Sequence, residues 1–234
     1  MNLILQGFDK AFTLILSLDA ELFGIIFLSL EVSGLALLFA TMLGLPAGAV
    51  LGLRKFPGRG LVVSAMNTFM GLPPVVVGLF IYLLMSRRGM LGFLGLLYTP
   101  SAMIIAQTIL ALPIVTALCQ SAIVNVDPVI RQAALTLGAT PGQVTVAIIK
   151  EARYGIFSAI IAAFGRVMAE VGAILIVGGN IAGYTRVMTT TIALETDKGN
   201  FELALALGVI LLAISFVVNA ALYLVQKKGA IQRA

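Results

Sequence analysis

The 234-residue chain is 60% hydrophobic and 11% charged, with a mean hydropathy of +1.10. A soluble domain of that length needs more polar surface, so the composition describes an all-α integral membrane protein and excludes a soluble enzyme. There is no His, and the single Cys, Cys119, lies in an apolar run, which argues against a metal site, thiol redox pairs and His-based catalysis. The net charge of +5 sits at the ends of apolar runs, as membrane topology demands, so nucleic acid is not a partner. None of the six lysines is followed by Ser or Thr, so the phosphate-cradling loop of an ATPase is missing.

Residues 1–20 read as an N-terminal amphipathic helix lying in the membrane interface. Asn2, Gln6, Asp9, Lys10, Thr13 and Ser17 form a polar stripe opposite Leu, Ile and Phe. A basic start and a small-residue cleavage site, the marks of a secretory signal, are lacking. The competing reading is a sixth span, against which the Asp9–Lys10 pair counts. The membrane domain covers 21–228, with a tail at 229–234. Its first span runs over 22–53. There Ala36, Ala40, Gly44, Gly48 and Gly52 recur every fourth residue, a ridge on which another helix packs closely. The second span, 61–86, is interrupted by Pro73 and Pro74, which bend the helix. An outer loop, 87–99, leads to the third span, 101–124, which carries Gln107, Thr108 and a further bend at Pro113.

The segment 127–151 reads as two short soluble helices. Asp127 and Pro128 form a helix start, and Val129, Ile130, Ala133, Ala134 and Leu137 share one face. Gly138 suits a left-handed helix end, and Thr140 with Gln143 has the spacing of a capping box. The fourth span covers 154–179. Arg166 and Glu170 are four residues apart, so they pair on one face, which must point into protein or a water-filled path. Two readings stand: a structural ion pair, or a functional one. Residues 180–200 are polar and Thr-rich. They read as a solvated outer segment with a short helix over 188–194, where Arg186 and the hydroxyls of Thr185, Thr189, Thr190 and Thr191 could face an anion. The last span covers 201–225.

Several of these stretches resemble a known family. Gln132–Ala133–Ala134, then Gly138 and Ile148, is similar to the cytoplasmic coupling loop of permeases in ATP-binding-cassette (ABC) importers. Gln132 stands where that loop has Glu, and Lys150–Glu151 where it has Leu–Pro. The run Gly71–Phe80 (GLPPVVVGLF) resembles a helix of the molybdate-type permeases. Ala163–Ile181 (AFGRVMAEVGAILIVGGNI) resembles their pore-side helix. Residues 86–115 and 185–208 look most like the tungstate permeases. The resemblance implies a type I importer permease of about five spans, cut off from its own ATP chemistry. It implies no cofactor on this chain, with ATP and Mg bound by the partner ATPase. The implied partners are a second copy of the chain, two cytoplasmic ATPase subunits, an extracytoplasmic oxyanion-binding protein and membrane lipid. Residues matching the coupling loop are Arg131, Gln132, Ala133, Ala134, Leu137, Gly138, Ala139 and Thr140. Candidates for the translocation path are Arg166, Glu170, Asn180 and Arg186. Molybdate or sulfate are the alternative cargoes, and an ion-coupled transporter the alternative class.

Charge sets the orientation. With 127–151 in the cytoplasm of a cell-membrane protein, nine cations lie inside: Arg54, Lys55, Arg59, Arg131, Lys150, Arg153, Lys227, Lys228 and Arg233. Outside lie Arg87, Arg88, Arg186, Lys198 and Lys10. The inner excess follows the positive-inside rule and places the C-terminus in the cytoplasm.

Overall fold

The computed structural model describes residues 3–16 and 20–231, and every regular element within them is helical. The order is α1 (Leu3–Leu16), α2 (Ala20–Leu53), α3 (Arg59–Phe69), α4 (Pro74–Met85), α5 (Pro100–Val124), α6 (Pro128–Thr136), α7 (Pro141–Met168), α8 (Gly172–Gly178), α9 (Met188–Asp197) and α10 (Phe201–Ile231). A single 3₁₀ turn, Gly92–Leu94, sits in the 87–99 loop. Helices α2, α5 and α10 are each long and apolar enough to cross a membrane. The pairs α3–α4 and α7–α8 bring the number of spans to five if each counts as one.

The bundle is built on the seam between α2 and α5. Ala36, Ala40, Gly44 and Gly48 are buried there. A Cβ on Gly48 would stand 2.6 Å from the carbonyl oxygen of Thr116, and one on Gly44 2.9 Å from Val115. The four-residue ridge therefore sets the helix separation, and a larger side chain would overpack it at a cost of about 1–3 kcal/mol. Pro46 and Pro113 lie inside α2 and α5. Helix α5 runs through Pro113 as one unbroken element, so the bend expected there does not interrupt it.

The other expected bend is larger than the sequence suggests. At Pro73–Pro74 the chain turns by 101° between α3 and α4. Pro74 excludes its predecessor from the helical region, and Pro73 is extended (φ −65°, ψ 119°). Pro74 then opens α4 at a position where no N–H is required. The expected fourth span also changes: α7 starts at Pro141, so the second hairpin helix and the span are one 28-residue rod. The break comes at its far end, where α8 departs by 57°. Helix α10 continues to Ile231, past the expected end at 225, and residues 232–234 lie outside the described residues.

Helix α1 packs along the start of α10. Small residues face the protein: Ala11 is buried, and a Cβ on Gly7 would meet Leu205 at 2.8 Å. Leu5, Phe8, Phe12 and Leu16 are exposed on another side, and Asp9, Lys10 and Thr13 on a third. At 14 residues the described helix is about 21 Å long, too short to cross a bilayer. Asn2 and Ser17 of the polar stripe fall outside the described residues.

Candidate functional site: an exposed hairpin rigidly joined to a broken helix

The hairpin is held by local bonds. Asp127 Oδ1 accepts the Val129 N–H at 2.9 Å, capping α6. At its other end Gly138 takes φ +78°, the left-handed region that glycine enters without strain. The N–H of Gly138 donates to Leu135 and that of Ala139 to Ala134, the two bonds of a Schellman ending. Gln143 Oε1 accepts the Thr140 N–H at 2.8 Å while Thr140 Oγ1 accepts the Gln143 N–H, completing the capping box. None of the residues of α6 is buried. The face expected to be uniformly apolar splits in two. Ile130 and Ala134 are half-buried, whereas Val129, Ala133 and Leu137 point outward, Leu137 at 87% exposure. Arg131, Gln132, Gly138 and Thr140 are exposed with them, and Ala139 is half-buried.

The far end of α7 carries the ion pair. Helical hydrogen bonding stops at Ala169, and Glu170 lies in the break rather than on a continuous helix face. The pair forms nonetheless: Arg166 Nη1 is 3.4 Å from Glu170 Oε2. The arginine side chain is 37% exposed and the glutamate 4%. Glu170 Oε1 accepts the N–H of Ala173 at 3.1 Å, so the same carboxylate caps the start of α8. Thr189 Oγ1 donates to the backbone carbonyl of Glu170 at 2.8 Å, and Gln107 Nε2 donates to that of Val167 at 3.2 Å. Both bonds satisfy carbonyls that the break exposes.

The two breaks lie side by side. A Cβ on Gly172 would stand 2.8 Å from Val75, and one on Gly78 2.8 Å from the Cα of Ala173. Helices α4 and α8 therefore start together and run together to the outer loop, where the Tyr98 N–H donates to the Val177 carbonyl at 2.9 Å. A cavity of about 10 Å³, lined by Ser29, Ser33, Gln107, Glu170 and Thr189, adjoins the break. It is just large enough to hold one water molecule. Gln107 Oε1 is buried and has no hydrogen-bond partner among the described residues.

Of the four path candidates, Arg166 and Glu170 meet, and Asn180 and Arg186 lie beyond the far end of α8. That helix spans about 10 Å. Asn180 follows Gly179, and both have positive φ. Arg186 Nη1 is 3.9 Å from Glu21 Oε1. Pattern reading missed the bonds that Gln107 and Thr189 make to the break. A polar residue within an apolar run was the available signal for Gln107.

The Thr-rich segment is not a solvated loop. Thr185, Thr189, Thr190 and Thr191 are buried. Thr185 Oγ1 donates to Gly178 at 2.6 Å and accepts the Ile181 N–H. Thr190 Oγ1 accepts the Val187 N–H, and Thr191 donates to the Val187 carbonyl. The Met188 N–H donates to Ser29 Oγ, tying the segment to α2. Its short helix is α9, three residues longer than expected. No group of three or more potential metal ligands occurs among the described residues.

Comparison with known proteins agrees with this architecture. The chain is 42% identical over 228 residues to the tungstate uptake system permease protein TupB of Peptoclostridium acidaminophilum, covering 97% of this chain and all of that one. It is 37% identical over 219 residues to TupB of Campylobacter jejuni, covering 94% and 92%. A bacterial ABC transporter involved in the import of alginate superposes with a TM-score of 0.74 at 20% identity, covering 94% of this chain and 83% of that one. Residues 44–229 match the family described as binding-protein-dependent transport system inner membrane component. The chain belongs to that family of membrane-spanning transport subunits.

Proposed function

We propose that the chain is the permease subunit of a tungstate importer driven by a separate ATPase. The observation that carries this reading is the continuous α7, which joins an exposed hairpin at one end to the Arg166–Glu170 break at the other. A 28-residue helix is about 42 Å long, so a push on the hairpin moves the break as part of one rigid element. The relatives named for tungstate uptake supply the cargo.

In this reading Leu137, Ala133 and the residues around Gly138 enter a groove on the ATPase, which holds the ATP and Mg. Two ATPase subunits serve a homodimer of the chain, and the C-terminus lies in the cytoplasm. Helix α3 supports the dimer. None of its residues is buried, and Ser64 and Asn67 are exposed on it. Polar groups on a membrane helix must meet protein or water rather than lipid. A second copy facing α3 across an aqueous path would satisfy them. An extracytoplasmic oxyanion-binding protein delivers cargo to the outer end. Closure of the ATPases then shifts the hairpins, and α7 transmits the shift to the break. Arg166 offers a half-exposed positive charge there, and the binding protein sets the choice among tungstate, molybdate and sulfate.

The test is uptake at low tungstate in cells with and without the chain, with its ATPase and binding protein present and molybdate and sulfate as competitors. Chain-dependent uptake that sulfate does not inhibit is expected. Unchanged tungstate uptake, with another solute depending on the chain, would overturn the cargo. The ion pair is tested alongside: Arg166→Ala and Glu170→Ala should each impair transport more than the double change does. Strictly additive losses would show that the two residues act independently.

A further inference from the structure

Four cations converge where the membrane helices meet the hairpin. The C-terminus of α2, the start of α3, the end of α5 and the α6–α7 hairpin enclose a cleft of about 700 Å³. Arg54, Lys55, Arg59 and Arg131 line it, opposed by a single carboxylate, Asp127. That carboxylate is engaged in capping α6. None of the four cations has a carboxylate within ion-pair distance among the described residues. Arg59 is fixed in place, its Nε donating to the Leu51 carbonyl at 2.6 Å, so its remaining N–H groups are presented rather than free to swing. The rest of the lining is largely apolar, including Leu53, Val126 and Ile148.

We propose that this cleft is a binding site for a phosphate-type tetrahedral oxyanion, carried by an anionic lipid headgroup or free in solution. Guanidinium groups converging from separate elements match the geometry of such an anion. A basic pocket between membrane helices with an apolar lining suits a phospholipid, whose headgroup meets the cations while its glycerol and upper chains cover the apolar part. A ligand there touches both the membrane helices, through Arg54, Lys55 and Arg59, and the hairpin, through Arg131. Its occupancy therefore favours whichever arrangement of hairpin and bundle keeps the four cations together. The proposal does not depend on the cargo, because the site lies at the hairpin end and is assayed by binding rather than uptake.

The test uses the assembled transporter in neutral detergent. Binding of phosphatidylglycerol, phosphatidylcholine and inorganic phosphate is measured for the wild type and for the Arg54→Gln/Lys55→Gln double variant. Both side chains are exposed. Phosphatidylglycerol should bind in preference to phosphatidylcholine, and the double variant should weaken it by about 30-fold. Competition by inorganic phosphate would place both sources in the same site. Phosphate binding that is lost in the variant, with no lipid preference, would make the source soluble. Arg59→Lys, which keeps the charge and loses the fork, should weaken binding less than the double variant. The proposal falls if neither ligand binds, or if both bind the double variant as they bind the wild type.

Discussion

The segments 127–151 and 180–200, at the two ends of the bundle, differ in what their polar and small residues touch. In the hairpin the bonds that cap its helices are local: Asp127 to Val129, Thr140 to Gln143, Gly138 to Leu135. Its first helix buries none of its residues. In the outer segment the hydroxyls of Thr185, Thr189, Thr190 and Thr191 are buried, and they bind carbonyls of α8, the break and the segment itself. The hairpin thus caps itself and presents α6 as a surface, while Val144 and Ile148 seat its second helix on the bundle; the outer segment is tied into the chain by its threonines. Similar residue types serve opposite ends because hydroxyls and glycines are useful both for local caps and for closing backbone groups that a broken helix leaves open.

That contrast predicts where substitutions hurt function and where they hurt the fold. Gly138→Trp should give the largest effect on transport. A Cβ at Gly138 meets nothing within 4 Å among the described residues, so in the proposed reading added bulk collides with the ATPase. Transport should fall at least about 30-fold, the loss expected when a central interface contact is destroyed. The subunit should still insert, and its melting should fall by no more than the strain of a side chain in the left-handed region allows. Because φ is +78°, part of the loss could come from backbone strain of about 1–2 kcal/mol. Gly138→Asn separates the two causes: Asn enters the left-handed region readily and should retain most transport. Loss of transport in both variants would attribute the effect to the turn rather than to docking.

Thr185→Val reverses the pattern. It leaves the Gly178 carbonyl and the Ile181 N–H without their partner at a site with no solvent exposure. The cost should be about 2–4 kcal/mol of stability, from two unsatisfied backbone groups. Thermal melting in detergent measures it. The matching hairpin change, Thr136→Val, removes an exposed hydroxyl bonded to the Gln132 carbonyl and should cost less than about 0.5 kcal/mol. Equal losses at the two positions would erase the distinction between the segments.

The hairpin was legible in the sequence because its signals act within a few residues. Asp–Pro, the glycine and the Thr–Gln spacing each report on their own turn, and each turn formed where they stand. The α2 ridge was legible for a similar reason, since a four-residue period of Ala and Gly already states that something packs there. The outer segment was not legible. Its bonding partners are remote: Ser29, which holds Met188, is 159 residues away, and Glu170, which receives Thr189, is 19 residues away. Polarity alone cannot tell a hydroxyl facing water from one closing a buried carbonyl. The Arg166–Glu170 contact followed from spacing, but the break between them did not. Gly172 and the neighbouring glycines mark a weak point in a helix without fixing which residue becomes the end. The second break at Pro73–Pro74 packs against it, a neighbour that local sequence does not announce.

The smallest expected effect concerns pH and lies where α9 passes into α10. Glu195 is buried and accepts from Lys198 Nζ at 2.7 Å and from Asn200 Nδ2 at 3.0 Å. The Lys198 bond is the main cause that lowers the Glu195 pKa, with Asn200 and the charge of Arg186 acting in the same direction and burial opposing them. A carboxylate depressed in the folded protein contributes stability that is complete above its unfolded value of about 4.3 and is lost as pH falls through the folded value. Lys198 is half exposed, so solvent screens the pair and the contribution is about 1 kcal/mol or less. That corresponds to about 2–4 °C in melting temperature for a chain of this size. Glu195→Gln should therefore lower melting by that amount at neutral pH and show a flatter acid dependence below about pH 4.3 than the wild type. Thr136→Val in the hairpin, which changes no titrating group, should reproduce the wild-type acid profile. If the Glu195→Gln profile is as steep as the wild type, the acid sensitivity belongs elsewhere, and the turn into α10 is held by its backbone bonds, Asn200 N–H to the Glu195 carbonyl and Gly199 N–H to the Thr196 carbonyl.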